Sequence, residues 1–499
     1  MNYLLAALTG VLLVLLFPRF SYTALAPIAL TPLLIAMARE YRPNQRFLLG
    51  YIAGIIHWFG VCYWIQAVLA DHGGVGEWGG WASYLLFCLL KAIHAGVFSM
   101  LGAVVIRTRF GIPVIAALWA GLERTEGPLT LFQWLMLGNA GIDMGVPMRL
   151  APIAGVYGIS FVFAMMSAIV AAALLRRPRK EFLWAAVLMA MFLLPPLPEQ
   201  KEPVGASAVV VQPNISETQE WTHDAIDNLR QRLNMLSLQA VLKPGRRPPD
   251  LIVWPEAPAP VHYTRDEVLR RQVTDLARLT HSSILLGTVT YTEQGAPLNS
   301  AQFVLPDGSP SARYDKIYLV PFGEFIPPPF GFVKQITAEA GEFRPGEQVV
   351  VFEHAGLKLG SFICYESAIP HLVREFSRQG AQAFINISND GYFGHSSARE
   401  QHMELVRMRA AENRRWIVRS TNNGMTSLVD PAGRVIRQIP SFIETTARFE
   451  FTPISEVTPY ARYGDWFAWL CLFFAAAMLI YSQFPHYVPE TKRRRFHST

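Results

Sequence analysis

Apolar segments recur along the first part of the chain, and they constrain its fold more than any other feature. Seven of them precede a long polar region and an eighth follows it, at residues 3–17, 24–38, 47–70, 81–106, 112–122, 150–175, 182–197 and 466–484. A helix needs about 20 apolar residues to cross the hydrocarbon core of a bilayer. The third, fourth and sixth segments meet this length, the fifth is short, and the others reach it with their flanking residues. The chain is therefore predicted to contain a multi-pass α-helical membrane domain.

The distribution of lysine and arginine predicts how these helices are oriented. Basic residues collect in alternate loops and in the tail, at 39–46, 107–109, 176–180 and 492–495, whereas the intervening loops contain few. Loops rich in lysine and arginine stay on the cytoplasmic side. We therefore expect a transmembrane domain of seven helices at 1–198, a polar domain outside the cytoplasm at 199–455, and a last helix with a basic cytoplasmic tail at 456–499.

Composition excludes several classes of function. Only 16% of the residues are charged, and the net charge of +6 lies largely in the basic loops, so no separate basic stripe predicts a nucleic-acid site. Four cysteines are too few for a disulfide framework, and no cysteine and histidine cluster has the spacing of a zinc site. We expect neither a metal nor a cofactor. Cys364 is the one cysteine in the polar region.

From Ala206 onwards, short β-rich runs alternate with helical stretches. Strands are predicted at 206–212, 251–254, 284–291, 301–305, 349–353, 358–364, 383–387, 417–420 and 426–429, and helices at 222–242, 265–279, 370–379 and 397–414. Alternation of this kind indicates a layered α/β domain. Continuous apolar runs suit buried parallel strands, with 358–364 and 383–387 near the centre.

Three segments of the polar region place ionisable residues beside an apolar strand. They are LIVWPEAPAP with Glu256, RYDKIYLVPFGEFIP with Lys316 and Glu324, and GSFICYES with Cys364. Ligands gather at the carboxyl ends of strands in α/β sheets, so Glu256 and Cys364 are expected to face one crevice. A thiol needs a base or a nearby cation to act as a nucleophile at neutral pH. Glu256 can take the proton, and Lys316 can stabilise the thiolate and an oxyanion.

Each of these residues also has a purely structural explanation. Cys364 would be an ordinary buried cysteine, Glu256 a helix cap, and Lys316 a surface charge in a loop. Spacing alone leaves the catalytic and the structural interpretations open.

The three motifs, in this order, resemble the catalytic motifs of the nitrilase superfamily. That resemblance implies an αββα sandwich and a triad of Glu256, Lys316 and Cys364. With seven apolar segments before the motifs and one after, the chain resembles the apolipoprotein N-acyltransferase family over essentially its whole length. Further matches are APIAGVYGISF at 151–161, VQPNI followed by Trp221, LNS at 298–300 and STNNGMTS at 420–427.

The resemblance implies transfer of a fatty acyl chain from a phospholipid, typically phosphatidylethanolamine, to the α-amino group of an apolipoprotein's diacylglyceryl-cysteine. It also implies a bacterial inner membrane, with a nitrilase-like catalytic domain on the periplasmic side. Glu256 is then the general base and Cys364 the nucleophile that becomes a thioester. Lys316 stabilises the oxyanion, together with the backbone N–H of Tyr365.

Other positions receive roles from the same resemblance. It implies support of the triad by Glu324, Tyr365 and Glu366, and substrate contact by Trp221 and Asn299. Phe325 belongs to an apolar stretch with Phe322, Ile326, the prolines 327–329 and Phe330. We expect this stretch to border an acyl cavity or a mobile lid, although core packing explains any one of these residues more simply.

Ionisable residues interrupt the apolar segments, notably His57, Lys91, His94 and Glu123. Such residues are functional candidates at membrane depth, but interhelical hydrogen bonds explain them equally well. Two rival functions stay open. A membrane-tethered amidase acting on small nitrogen compounds would use the same triad. In a transporter or receptor, Lys91, His94 and Glu123 would line a path.

Overall fold

The computed structural model describes residues 1–130, 132–200, 202–243, 245, 247–256, 262–326 and 343–483. The chain forms a helical part, built from its N-terminal residues and its last helix, and a two-sheet part between them. The prolines 327–329, Phe330 and the basic tail 492–495, which carried predictions, lie outside the described residues.

Apolar helices form the N-terminal part. They are α1 (Asn2–Leu15), α2 (Thr31–Arg39), α3 (Pro43–Val61), α4 (Trp64–His72), α5 (Gly76–Val105), α6 (Gly111–Thr130), α7 (Ala151–Leu174) and α8 (Ala185–Met189). Three described stretches are long and apolar enough to cross a membrane: α5, Pro147–Leu174 and Trp466–Gln483. Helices α3 and α4 form a further apolar pair, bent by 59°. These helices are consistent with the predicted membrane domain.

The seventh apolar segment, 182–197, does not form one regular helix as predicted. Arg179–Trp184 and Ala190–Leu193 are 3-10 helices on either side of α8. A 3-10 helix rises about 2.0 Å per residue and an α-helix about 1.5 Å. These three helices together, residues 179–193, would therefore extend over roughly 27 Å. Pro195 and Pro196 lack the N–H donors that would continue it. The number of membrane crossings and the domain boundaries stay predictions.

Two six-stranded sheets make up the polar region. Their strands are β1 (Ala206–Gln212), β2 (Leu251–Val253), β3 (Ser283–Tyr291), β4 (Pro297–Val304), β5 (Pro310–Asp315), β6 (Val351–His354), β7 (Leu357–Ile363), β8 (Ala383–Ser388), β9 (Ile417–Thr421), β10 (Ser427–Val429), β11 (Val435–Gln438) and β12 (Thr445–Phe451). The strand order is β12-β1-β2-β3-β4-β5 in one sheet and β11-β10-β9-β8-β7-β6 in the other. The parallel strands β1 to β3 and β7 to β9 form the centres.

Helices cover the outer faces of both sheets. They are α9 (His223–Val241) and α10 (Glu267–Thr280) on the first sheet, and α11 (Pro370–Arg378) and α12 (Ala398–Asn413) on the second. Side chains of β1 alternate between the two layers: Val209 and Val211 pack under α9, whereas Ala208 and Val210 face the second sheet. Helices α13 (Pro459–Tyr463) and α14 (Trp466–Gln483) follow. The predicted αββα sandwich is confirmed.

Each predicted strand and helix of the polar region corresponds to an observed one within a few residues. Three strands were not predicted: β5, β11 and β12. All three lie at sheet edges and keep several residues partly or fully exposed. Their sequences are correspondingly polar, so the apolar runs that marked the buried strands are missing from them.

Helix α12 of the second sheet packs on the membrane domain through Gln401. Its Oε1 accepts hydrogen bonds from the indole N–H groups of Trp64 (3.1 Å) and Trp134 (2.8 Å). Its Nε2 donates to the carbonyl of Val61 at 2.9 Å. The buried amide of Gln401 is thus satisfied by groups from two separate stretches of the helical part.

A second link arises at a kink in α7. Gly155 has φ 65°, a conformation that favours glycine, and a Cβ there would lie 2.5 Å from the ring of Tyr460. The N–H of the next residue, Val156, donates to Oε1 of Glu412 on α12 at 2.9 Å. At the kink, a backbone N–H group inside the helical bundle therefore donates a hydrogen bond to helix α12 of the two-sheet part.

Asp465, just before α14, joins three elements. Its Oδ2 accepts from Arg124 Nε of α6 at 2.6 Å, and its Oδ1 accepts from Arg374 Nη1 of α11 at 2.6 Å. The hydroxyl of Tyr460 donates to Oδ1 at 2.9 Å. The carboxylate is buried, so removal of its charge would leave two arginines without their partner.

Replacing Asp465 with Ala is expected to destabilise the protein by about 3–5 kcal/mol, the usual cost of breaking a buried ion pair. Thermal unfolding in detergent measures the effect. The control is Asp143→Ala, which removes the exposed partner of Arg407 and should cost about 0–1 kcal/mol. Equal losses in the two variants would contradict the role assigned to Asp465.

Candidate active site

The three residues of the predicted triad lie in segments that follow strands of the two sheets. Glu256 follows β2 and Lys316 follows β5, both of the first sheet, whereas Cys364 follows β7 of the second sheet. The predicted crevice is therefore not at the edge of one sheet but between two sheets that face each other. This arrangement brings a carboxylate and a thiol together from opposite layers.

The ammonium group of Lys316 lies between two carboxylates. Its Nζ is 3.2 Å from Oε1 of Glu256 and 2.9 Å from Oε1 of Glu324. The amide of Asn299 donates to the same two oxygens, at 2.7 and 2.8 Å. Burial alone would lower the pKa of Lys316, but Glu256 and then Glu324 outweigh it and hold that pKa well above its usual value. Lys316 is a fixed cation.

The second oxygen of each carboxylate is held by the backbone. Oε2 of Glu256 accepts from the N–H of Asn389, directly after β8, at 2.8 Å. Oε2 of Glu324 accepts from the N–H of Val320 at 2.8 Å. Glu256 is thus fixed by donors from both sheets, and its position depends on how the sheets pack.

Cys364 begins a short 3-10 helix, Cys364–Ala368, at the end of β7. Its φ of 51° lies in the left-handed region, which a residue other than glycine adopts at an energetic cost. The carbonyl of Cys364 accepts a hydrogen bond from Nε2 of His402 at 3.1 Å. This bond helps to hold the nucleophile in its unusual conformation.

The surroundings of Cys364 favour the protonated form of its thiol. Burial and, after it, the charge of Glu256 raise the pKa of Cys364 to about 12, although Lys316 opposes both. At neutral pH the sulfur therefore needs a base that removes its proton when substrate arrives. Glu256 is a carboxylate within electrostatic reach of that sulfur.

Glu366 forms hydrogen bonds that connect the segment containing Lys316 with the segment containing Cys364. Its Oε1 accepts from the hydroxyl of Tyr314 (2.6 Å) and from two backbone N–H groups, those of Ile317 (2.7 Å) and Tyr318 (3.1 Å). Its Oε2 accepts from the N–H of Ile363 at 2.7 Å. This geometry supports the predicted role of Glu366 beside the nucleophile.

Tyr365 points into the membrane domain. Its hydroxyl accepts from the N–H of Gln133 at 2.9 Å, and its ring stacks on Phe132 and Trp134, with centroids 5.7 and 6.4 Å away. The residue directly after the nucleophile is therefore positioned by a segment between two apolar helices.

Two features of the site were not predicted from the sequence. One is Asn389, whose N–H binds Glu256. The other is a buried group behind the nucleophile, in which Nη2 of Arg419 lies 2.8 Å from both oxygens of Asp390 and 3.1 Å from Nδ1 of His402. The polar run SND after β8 and the charged residue within β9 are the signals that point to them.

The remaining predicted positions are placed as follows. Asn299 binds the two glutamates, so the structure gives it a positioning contact. Trp221 packs on the apolar cluster beneath α9. Phe325 is partly buried, and its carbonyl accepts from the N–H of Phe322 at 2.7 Å. Substrate contact by Asn299, Trp221 and Phe325 stays a prediction.

Lys91 makes contacts that join membrane helices. Its Nζ lies 3.1 Å from Oε1 of Glu126, donates to the carbonyl of Phe132 at 2.8 Å, and sits over the ring of Trp58. Oε1 of Glu123 likewise accepts from the N–H of Leu137 at 2.8 Å. These contacts favour the structural explanation for both charges. His94 lines the same cavity as His57 and Lys91.

Comparisons with known proteins agree with this geometry. The model of the family described as carbon-nitrogen hydrolase matches residues 207–453, which contain both sheets. The model described as apolipoprotein N-acyltransferase N-terminal domain matches residues 9–169, within the helical part.

Similar proteins match over nearly the whole chain. The apolipoprotein N-acyltransferase of Geobacter metallireducens is 32% identical, over 96% of this chain and 94% of the relative. That of Methylococcus capsulatus is 30% identical, over 93% of each. Among solved structures, an amidase from Nesterenkonia sp. is 17% identical and covers 53% of this chain and 96% of its own, with a TM-score of 0.38. A structural likeness this low adds nothing to what the sequence relatives show.

A protonated resting thiol should react slowly with iodoacetamide. Because the thiolate is the reactive form, the alkylation rate of Cys364 is expected to rise about tenfold per pH unit between about pH 7 and pH 9. Mass spectrometry of the modified peptide measures the rate, and the Cys364→Ala variant gives the background from Cys62, Cys88 and Cys471. A plateau reached within this range would show a low-pKa thiolate and contradict the electrostatics described above.

Proposed function

Because the chain belongs to the apolipoprotein N-acyltransferase family, we propose that Glu256, Lys316 and Cys364 carry out its acyl transfer. A fatty acyl chain moves from a phospholipid to the sulfur, and then to the α-amino group of an apolipoprotein's diacylglyceryl-cysteine. The observation that carries this proposal is the placement of Lys316 Nζ between two carboxylates. One carboxylate can act as a base while the other keeps the cation in place.

The first stage forms the thioester. Glu256 takes the thiol proton as the sulfur of Cys364 attacks the ester carbonyl of the phospholipid. Negative charge develops on the carbonyl oxygen, where Lys316 and the backbone N–H of Tyr365 stabilise it. The ester C–O bond then breaks, and Glu256 returns the proton to the departing lysophospholipid.

The second stage transfers the acyl chain to nitrogen. The acceptor's neutral amine attacks the thioester carbonyl, Glu256 takes a proton from the amine, and the amide forms as the C–S bond breaks. The sulfur leaves with the proton and the resting thiol is restored. One pocket thus serves the donor and the acceptor in turn, and water must be kept out because it would hydrolyse the thioester.

Both proposed substrates are lipid-anchored, which explains why the catalytic domain is fixed to apolar helices. Contacts of Tyr365, Gln401 and Glu412 hold the two-sheet part against these helices. We propose the bacterial inner membrane as the location, with the catalytic domain at 199–455 on the periplasmic side. Phosphatidylethanolamine is the proposed donor.

The rival functions are less well supported. An amidase acting on small soluble compounds has no need of a helical part docked on its nucleophile segment, and the near full-length relatives are N-acyltransferases. A transporter or receptor would not need the buried set of Glu256, Lys316 and Cys364.

Replacing Cys364 with Ala should abolish the covalent acyl-enzyme while the protein still folds and inserts, because only the nucleophilic atom is lost. Purified protein is incubated with acyl-labelled phosphatidylethanolamine, and the acyl adduct is located by mass spectrometry. Cys471→Ala, which removes another buried thiol, is the matched control and should keep the adduct. A labelled thioester that persists in Cys364→Ala would refute this assignment.

Replacing Glu256 with Gln should slow thioester formation at least about 100-fold, the usual contribution of a general base. The amide keeps the size of the side chain, so the fold is retained. Glu353→Gln, which changes an exposed carboxylate, is the control and should react at the normal rate. If Glu256→Gln also forms the thioester at the normal rate, another group is the base.

A further inference from the structure

Glu217 is a charged residue beside the active site to which the proposed mechanism gives no role. It lies in the loop between β1 and α9. Its Oε2 accepts from the side-chain amide of Asn389 at 3.2 Å, and its Oε1 accepts from the amide of Asn422, also at 3.2 Å. A Cβ on Gly391 would lie only 1.9 Å from that Oε1, so the carboxylate rests directly on the backbone of residue 391.

Asn389 connects this carboxylate with the general base. Its backbone N–H binds Oε2 of Glu256 at 2.8 Å, while its side-chain amide binds Glu217. The two glutamates therefore lie on either side of a single residue. Each oxygen of Glu217 accepts one hydrogen bond from an asparagine and keeps a lone pair for another donor.

Tyr392 lies near both Glu217 and the carboxylates of the triad region. It follows Gly391, on whose backbone Glu217 rests, and burial together with the negative charges of Glu217, Glu256 and Glu324 raises the pKa of its phenol. The tyrosine side chain is 47% exposed, and its ring contacts the ring of His72 at the end of α4. The Tyr392 side chain thus extends from the neighbourhood of these carboxylates to the surface where the helical part and the two-sheet part meet.

The charge of this space favours a cation. Among the described residues, Lys316 is the cation that contacts the carboxylates of Glu256 and Glu324, so one positive charge faces two negative ones. Burial raises the pKa of Glu217 to about 7, and the charge of Glu256 adds to this effect. An arriving ammonium group would offset the excess negative charge and favour the ionised form of Glu217.

We propose that Glu217 forms a binding site for a primary ammonium group of a substrate. This inference rests on the proposed function, in which two such groups occur: the α-amino group of the acceptor and the ethanolamine headgroup of the donor. We expect the acceptor, because its nitrogen must reach the thioester carbonyl next to Glu256. The bound ammonium gives one proton to the Glu217 carboxylate and then attacks as the neutral amine. The ethanolamine nitrogen is separated from the reacting ester by the phosphate and the glycerol.

The test separates the two half-reactions and the two sources of ammonium. Thioester formation on Cys364 is measured with phosphatidylethanolamine and with phosphatidylglycerol, which has no ammonium group. Transfer is then measured by adding a diacylglyceryl-cysteine peptide to the preformed thioester. The variant is Glu217→Gln, and the control is Glu220→Gln, an exposed glutamate of the same loop.

In Glu217→Gln, transfer is expected to slow by about 10- to 100-fold, the effect of losing a hydrogen bond to a charged group. Thioester formation from either donor should stay normal, as should every step in Glu220→Gln. Slower thioester formation from phosphatidylethanolamine alone would assign the site to the donor headgroup.

Equal loss with both donors would mean that Glu217 only positions Asn389 and Glu256, and would overturn the proposal. So would normal rates in both half-reactions. Wild-type protein that formed no thioester from either donor would instead contradict the proposed function, so the two failures are distinguishable.

Discussion

The ammonium group of Lys316 is buried between Glu256 and Glu324, and the rest of the catalytic region is arranged around this contact. A buried ion costs several kcal/mol unless charges and hydrogen bonds compensate it. The two carboxylates provide these charges. Asn299 donates to the same oxygens that contact Lys316, and two backbone N–H groups bind the other oxygen of each carboxylate. Because these donors come from both sheets, the sandwich must form before the site exists. Burial and the charge of Glu256 raise the pKa of the neighbouring Cys364 thiol.

The membrane domain contacts the segment that carries Cys364 directly. Tyr365, next to Cys364, is held by the hydroxyl contact with Gln133 and by two aromatic rings of the same segment. Lys91 in turn binds the carbonyl of Phe132, so a charge inside the helices fixes the segment on which Tyr365 stacks. The hydrogen bond to Phe132 thus provides a structural explanation for the buried Lys91.

Much of this architecture could be predicted from the sequence, because buried parallel strands and membrane helices are marked by continuous apolar runs. The edge strands β5, β11 and β12 were not predicted because most of their residues are partly or fully exposed and no continuous apolar run marks them. The segment 182–197 has the composition of a membrane helix, but its local geometry is mostly 3-10. The triad residues followed from their motifs. The contact of Asn389 with Glu256 could not be predicted from the sequence. The two residues are 133 positions apart, and their contact depends on how the two sheets pack.

In the proposed mechanism, Lys316, fixed by its two glutamates, receives the carbonyl oxygen of the scissile ester. The most direct measurement is a structure of the Cys364→Ala variant with an intact phospholipid bound. The account predicts an ester carbonyl oxygen within hydrogen-bond distance of Lys316 Nζ, with both lysine–carboxylate contacts retained and the carbonyl carbon facing residue 364. An ester bound out of reach of Lys316, or a lysine released from its glutamates by the bound lipid, would contradict it.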